Sequence, residues 1–161
     1  MNLERKDESS YCGTLTALLV SIFLTIVGTG HLAALETPEG KAQTVAITLG
    51  GKTIRAVLAN TPESRVQGLL GWNSIDEETG MLLDSLIDAQ SAIHMQGMKF
   101  PIDAIWADTN GEIKLIYEDI QPDKGLTYPS MFPSRYCLEV KAGFCKKYGV
   151  KSGHKLKFAA D

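Results

Sequence analysis

The sequence predicts a mainly β fold: an antiparallel β-sandwich or small barrel-like domain with one or two short helices, preceded by an N-terminal hydrophobic export segment. Three observations predict it. Apolar and polar residues alternate with period two on both sides of Gly50-Gly51. A second β-type run, residues 100–107 (FPIDAIWA), leads into the turn sequence Asp108-Thr109-Asn110-Gly111. A stretch without a charge, residues 13–34, stands ahead of both. Alternation of period two is the mark of a half-buried strand, and several short strands with little helix imply a sandwich or barrel.

Within the uncharged stretch, residues 15–27 (LTALLVSIFLTIV) form an apolar run with Arg5 and Lys6 before it and small residues after it. That is the layout of a secretory signal. The whole stretch is also about long enough to span a bilayer as a helix. Residues 1–34 are therefore read as a signal peptide or an N-terminal membrane anchor, residues 35–43 as a polar linker, and residues 44–158 as one β-rich domain. Both alternatives put the domain outside the cytoplasm: periplasmic, secreted, or anchored to the outer side of the inner membrane.

In the domain, Val45, Ile47 and Leu49 alternate with polar or small residues, and Ile54, Ala56 and Leu58 resume the pattern after the two glycines, which predicts a hairpin. Thr61-Pro62-Glu63 supplies a capping hydroxyl, a proline at the first helical position and an acid in the first turn, so a short helix is expected to about Leu70, ended by Gly71. Residues 76–80 are turn material and residues 81–83 a brief strand. Residues 100–107 and 112–117 form a second hairpin. Residues 121–134, with Pro122, Gly125, Pro129 and Pro133, read as a long surface loop. Residues 136–140 return to a strand, residues 144–148 form one helical turn closed by Gly149, and residues 155–158 form a last strand.

Charge narrows the function. The chain has 16 Lys+Arg and 19 Asp+Glu; without Arg5, Lys6, Glu4, Asp7 and Glu8 the balance is 14 to 16, well mixed along the domain. A near-neutral surface of this kind is no footprint for nucleic acid. The sequence has no Gly-x-Ser-x-Gly elbow, no His-Glu-x-x-His and no phosphate-cradling glycine loop before a helix. A binding or accessory module is thus preferred to an enzyme, and no cofactor is expected.

Five ordered blocks carry a resemblance. They are Arg65 with Gly68-Leu69-Leu70; Gly80-Met81-Leu82; residues 94–103 (HMQGMKFPID); residues 108–111; and Leu138-Glu139-Val140 with Ala142-Gly143. From about residue 44 to 158 the chain resembles the family called domain of unknown function 192. The resemblance implies a mainly antiparallel sandwich or barrel-like fold, often exported, without an assigned reaction, ligand or partner. The chain reads His94-Met95-Gln96-Gly97-Met98 where many members read Trp-Met-Lys-Asn-Thr, and Gly153-His154 where they close on Gly-Asp.

Six residues are candidates for a ligand site: Arg65, Met81, His94, Met95, Asp103 and Glu139. Alternation places Asp103 on the face of Ile105 and Ala107, opposite Ile102, Ala104 and Trp106. A buried carboxylate there needs a cation or backbone donors; Arg65 is one candidate partner, and the residue reads as either a structural clamp or a ligand-binding group. Glu139 reads as an ordinary exposed strand glutamate, or, if it meets Asp103, as half of an acid–base pair in a hydrolase-like enzyme. His94, Met95 and Met98 offer imidazole and thioether, the donors of copper(I) sites, once a turn at Gly97 gathers them; the competing reading is core methionine beside an exposed histidine. Cys137 and Cys145 either pair across a short loop in an oxidising compartment or remain two buried thiols. The expected partner is an unknown small molecule or protein, with the membrane added if the N-terminal segment is retained.

Overall fold

The computed structural model describes residues 36–37, 40–123 and 125–159. The apolar run of residues 15–27, and the export expectation with it, lies outside them. Among the described residues no helix is long and apolar enough to cross a membrane.

The elements run β1 (Glu36–Thr37), β2 (Gly40–Lys41), β3 (Thr44–Leu49), β4 (Lys52–Ala59), α1 (Pro62–Gln67), β5 (Thr79–Ala89), β6 (Ala92–His94), β7 (Ile102–Ala107), β8 (Ile113–Ile120), β9 (Thr127–Pro129), β10 (Ser134–Lys141), α2 (Phe144–Tyr148) and β11 (Lys157–Phe158). Seven strands form one sheet in the order β11-β3-β4-β5-β10-β7-β8, curled into a half-barrel; β6 pairs with β9, and β1 with β2, in two small separate sheets. Of the two expected forms, a sandwich or a small barrel-like domain, this single curled sheet is the barrel-like one. Its pairings are antiparallel except β4 with β5, which run parallel because α1 carries the chain across between them. The two edges approach each other through an isolated antiparallel bridge, Glu112 to Lys155, supported by Ile113 N donating to His154 O (2.9 Å) and Leu156 N to Gly111 O (2.9 Å).

The β3–β4 hairpin turns at Gly50-Gly51, both with positive φ (58° and 78°), a backbone that glycine adopts without steric cost. Helix α1 begins on a reciprocal cap: Thr61 Oγ1 accepts from Ser64 N at 3.2 Å and Ser64 Oγ accepts from Thr61 N at 3.0 Å. It stops at Gln67, earlier than expected, because Gly68 takes φ 45° and ψ −133°. Strand β5 is far longer than the brief strand expected at residues 81–83. The cause is burial on both sides: from Thr79 to Asp84 every residue is buried, so no alternation announces it. The expected loop at residues 121–134 contains β9, recruited by β6.

Central strands β7 and β10 are sandwiched between two cores. On one face Ile47, Ile54, Leu82, Ile105, Leu138 and Val140 pack against Phe144, Cys145, Val150 and Leu156. On the other, Met81, Leu83, Ile102, Ala104, Trp106 and Cys137 pack under Leu69, Ile75, Ile93 and Met95, which come from the segments that cover the sheet. Each fully buried Ile or Leu stabilises the fold by roughly 1.5–3 kcal/mol. As alternation predicts, Ile105 and Ala107 join the first core, and Ile102, Ala104 and Trp106 the second.

Candidate functional site

The second core is not filled. Between the sheet and its cover, α1 and the turn after it on one side and β6 with the following turn on the other, lies a cavity of about 340 Å³. Arg65, Gly68, Leu70, Ser91, His94, Met95, Met98, Trp106 and Glu139 are among its lining residues. Three buried polar atoms lack a hydrogen-bond partner among the described residues: Glu139 Oε2, Trp106 Nε1 and Ser91 Oγ. All three residues line this one cavity. Buried polar side chains are ordinarily satisfied, so three orphans on residues of one cavity make it the candidate site.

Glu139 is the group most out of the ordinary. It is 6 % exposed, which corrects the expectation of a solvated strand residue, and burial pushes its carboxyl up to about 7. Its cross-strand neighbours, Met81 on β5 and Ala104 on β7, are apolar and offer no donor. Gly68 stands over it: a Cβ on that residue would come within 3.9 Å of Oε2.

Arg65 reaches the same cavity from α1, and its Nη1 donates to the backbone carbonyl of Asp84 at 3.0 Å. Asp84 in turn takes a two-pronged ion pair from Arg135, Nε to Oδ1 at 2.8 Å and Nη2 to Oδ2 at 3.0 Å, while its Oδ1 also accepts from Leu86 N at 2.7 Å. Burial opposes ionisation of Asp84, but Arg135 and the Leu86 amide outweigh it and hold the carboxyl below its usual value. This network pins α1 to β5 and so holds Arg65 at the cavity.

The turn required at Gly97 exists: Met98 N donates to Met95 O at 3.1 Å, with Gly97 at φ 83°. His94, exposed, and Met95, buried, with Met98, half-buried, thereby all border the cavity. Met81 does not; it lines a neighbouring cleft of about 540 Å³ beneath Trp72 and Leu58.

Asp103 does not border the cavity either. It is fully buried on the opposite face, and its donors are backbone amides: Asp119 N (2.8 Å) and Gly143 N (3.0 Å) to Oδ1, and Cys145 N (2.8 Å) to Oδ2. Asp119, at φ 51°, lies in the irregularity where two residues of β8 face one of β7. Helix α2 has no capping side chain of its own, so Asp103 caps it from β7. The expected Arg65 partnership is corrected to this three-amide clamp. The Asp103–Glu139 pair falls with it. Asp103 stands opposite Val140 in the β7–β10 register and Glu139 opposite Ala104, so their side chains leave opposite faces of the sheet.

Both cysteines among the described residues are free thiols, Cys137 in the second core and Cys145 in the first. Of the two alternatives, a bridge or two buried thiols, the structure has the thiols, and the sheet stands between them. Burial raises both thiols, with the charge of Glu139 adding at Cys137 and that of Asp103 at Cys145. Sequence reasoning missed Ser91 and the indole N–H of Trp106. Nothing near Ser91 signals it; for Trp106, its place in a six-residue run without a charge except Asp103 was the one available sign.

Comparison with known proteins agrees with the architecture. The DUF192 family model, described as Uncharacterized ACR, matches residues 43–158. A solved structure described as a "putative transcription regulator" from Sinorhizobium meliloti 1021 is 30% identical, with a TM-score of 0.65, over 71% of this chain and 91% of that one. A protein of unknown function from Novosphingobium aromaticivorans DSM 12444 is 23% identical, with a TM-score of 0.68, over 81% of this chain and 99% of that one, and shares the fold. No curated protein matches.

Proposed function

The chain belongs to the uncharacterised DUF192 family, and we propose that it is a small binding or accessory module that takes a small molecule into the cavity beneath α1, outside the cytoplasm. The observation that carries this reading is that Glu139, Trp106 and Ser91, each with a buried polar atom that lacks a partner among the described residues, line one cavity. Apolar walls with a few convergent polar groups are the usual composition of a ligand pocket, and about 300 Å³ is the lower end of their size range. The apolar run at residues 15–27 supports the compartment. A metabolite screen by thermal shift on the full chain tests the binding. A ligand at a hundredfold excess over its Kd stabilises by about 2.7 kcal/mol, several degrees in Tm. A blank screen together with an empty partner pull-down overturns the reading. Protease accessibility in spheroplasts tests the compartment; protection of the domain there counts against export.

One observation favours a second reading, copper(I) handling. The turn at Gly97 brings His94, Met95 and Met98 to the same cavity. Copper(I) titration of the His94→Ala and Met98→Ala chains decides it: unchanged affinity in both removes it.

A further inference from the structure

The cavity has a charge requirement of its own. The carboxyl of Glu139 is enclosed by Met81 and Ala104 across the strands and by the backbone of Gly68 above, and Oε2 receives no hydrogen bond among the described residues. The other ionisable groups that border the cavity are Arg65 on α1 and His94 on β6; on β10 itself Cys137 and the exposed Lys141 are each two residues away on the same face. Arg65 has turned Nη1 to the Asp84 carbonyl. The shift at Glu139 has burial as its sole cause, with no cation opposing it. A buried acid without a countercharge costs several kcal/mol to ionise, and its missing hydrogen bond is a second deficit. A guest that carries both a positive charge and an N–H removes the two at once, through the short charge-assisted bond that such pairs form. The rest of the wall suits such a guest: the Trp106 indole and the Met95 and Met98 thioethers are polarizable surfaces, and aromatic faces attract organic cations.

Resting on the binding reading above, we propose that the cavity selects a small organic cation bearing N–H donors, a primary amine or guanidinium, with its head against Glu139 and its apolar stem along Trp106, Met95 and Met98. The bond formed is a salt-bridged hydrogen bond, and the proton displaced from Glu139 goes to solvent. Binding therefore tightens as pH rises through about 7, where the carboxyl ionises, about tenfold between pH 6 and pH 8.

Isothermal titration calorimetry on the full chain tests this with four probes of one stem: n-butylammonium, n-butylguanidinium, neutral butyramide and anionic butyrate, at pH 6 and pH 8. The two cations are expected to bind about tenfold tighter at pH 8, and Glu139→Gln to reduce them to the level of butyramide and abolish the pH dependence. Protonation of His94 would repel an amine in the same direction, so a His94→Ala chain is included; it is expected to keep the pH dependence. A second readout needs no variant. At pH 7 the wild-type chain should release about half a proton per amine bound, seen as a dependence of the heat on buffer ionisation; a neutral guest that accepts from protonated Glu139 takes a proton up instead. Butyrate or butyramide binding as tightly as the amine, an amine affinity untouched by Glu139→Gln, or proton uptake overturns the inference. If no cation binds while the metabolite screen finds another ligand, the inference fails and the pocket reading stands. A blank in both removes both.

Discussion

Asp103 and Glu139 stand on the adjacent strands β7 and β10, both buried, one position out of register and facing different cores. Asp103 collects three backbone amides, from a bulge in β8 and from the start of α2. Glu139 lines a cavity and receives nothing at Oε2 from the described residues. A carboxylate surrounded by donors holds distant segments of chain together, whereas one surrounded by methyl groups and empty space is a cost to the fold that a ligand can relieve. Burial alone therefore does not distinguish scaffold from site; the donor count does.

The largest expected effect tests the scaffold half of that contrast. Asp103→Ala leaves the buried Cys145 amide and two more accessible ones, Asp119 N and Gly143 N, without their acceptor, and a loss of about 3 kcal/mol is expected in urea unfolding. Asp103→Asn, which keeps one carbonyl oxygen, should cost less. If both were neutral, the clamp would be no clamp.

Glu139→Gln should do the reverse. The wild-type carboxyl rises from 4.5 to about 7 on folding, so the native state holds its proton more tightly. Stability is full below pH 4.5 and falls as pH climbs through about 7, by up to about 3 kcal/mol. The glutamine chain should lack this slope and exceed the wild type at pH 8, as followed by urea midpoints across pH 4 to 8.

Gly68→Ala probes the backbone above Glu139. At φ 45° and ψ −133° a side chain is strained, so a loss of about 1–3 kcal/mol is expected, with weaker ligand binding because the new methyl approaches Oε2. Smallest is Asp84→Asn, which breaks the Arg135 fork; about 1.5 kcal/mol is expected from the loss of charged hydrogen bonds. Because that carboxyl is held below its usual 3.8, the wild-type advantage should be present above about that pH and vanish as pH falls further, measured by thermal melts in acid.

The sequence revealed the fold where a strand has one wet face or a turn has a glycine pair. The β3–β4 hairpin, the capped start of α1 and the faces of β7 were all readable. Strand β5 was not, because burial on both faces erases alternation, and the parallel β4–β5 pairing depends on α1 packing back over the sheet, which no local pattern encodes. The site was readable by residue but not by grouping. Arg65, His94, Met95 and Glu139 border the cavity, while Asp103 and Met81 lie elsewhere. Side chains from five elements meet there, and period-two spacing says which face a residue takes, not what stands across from it. Glu139 looked solvated for that reason: its strand neighbours are apolar, and the cover over its own face comes from residues some seventy positions earlier.

The segment from Gly153 to Phe158 touches both margins of the sheet: it bonds to residues 111–113 on one side and pairs with β3 on the other. It works as a clasp on the curl. The curl therefore depends on residues that follow every central strand in the sequence, and Leu156 among them completes the first core.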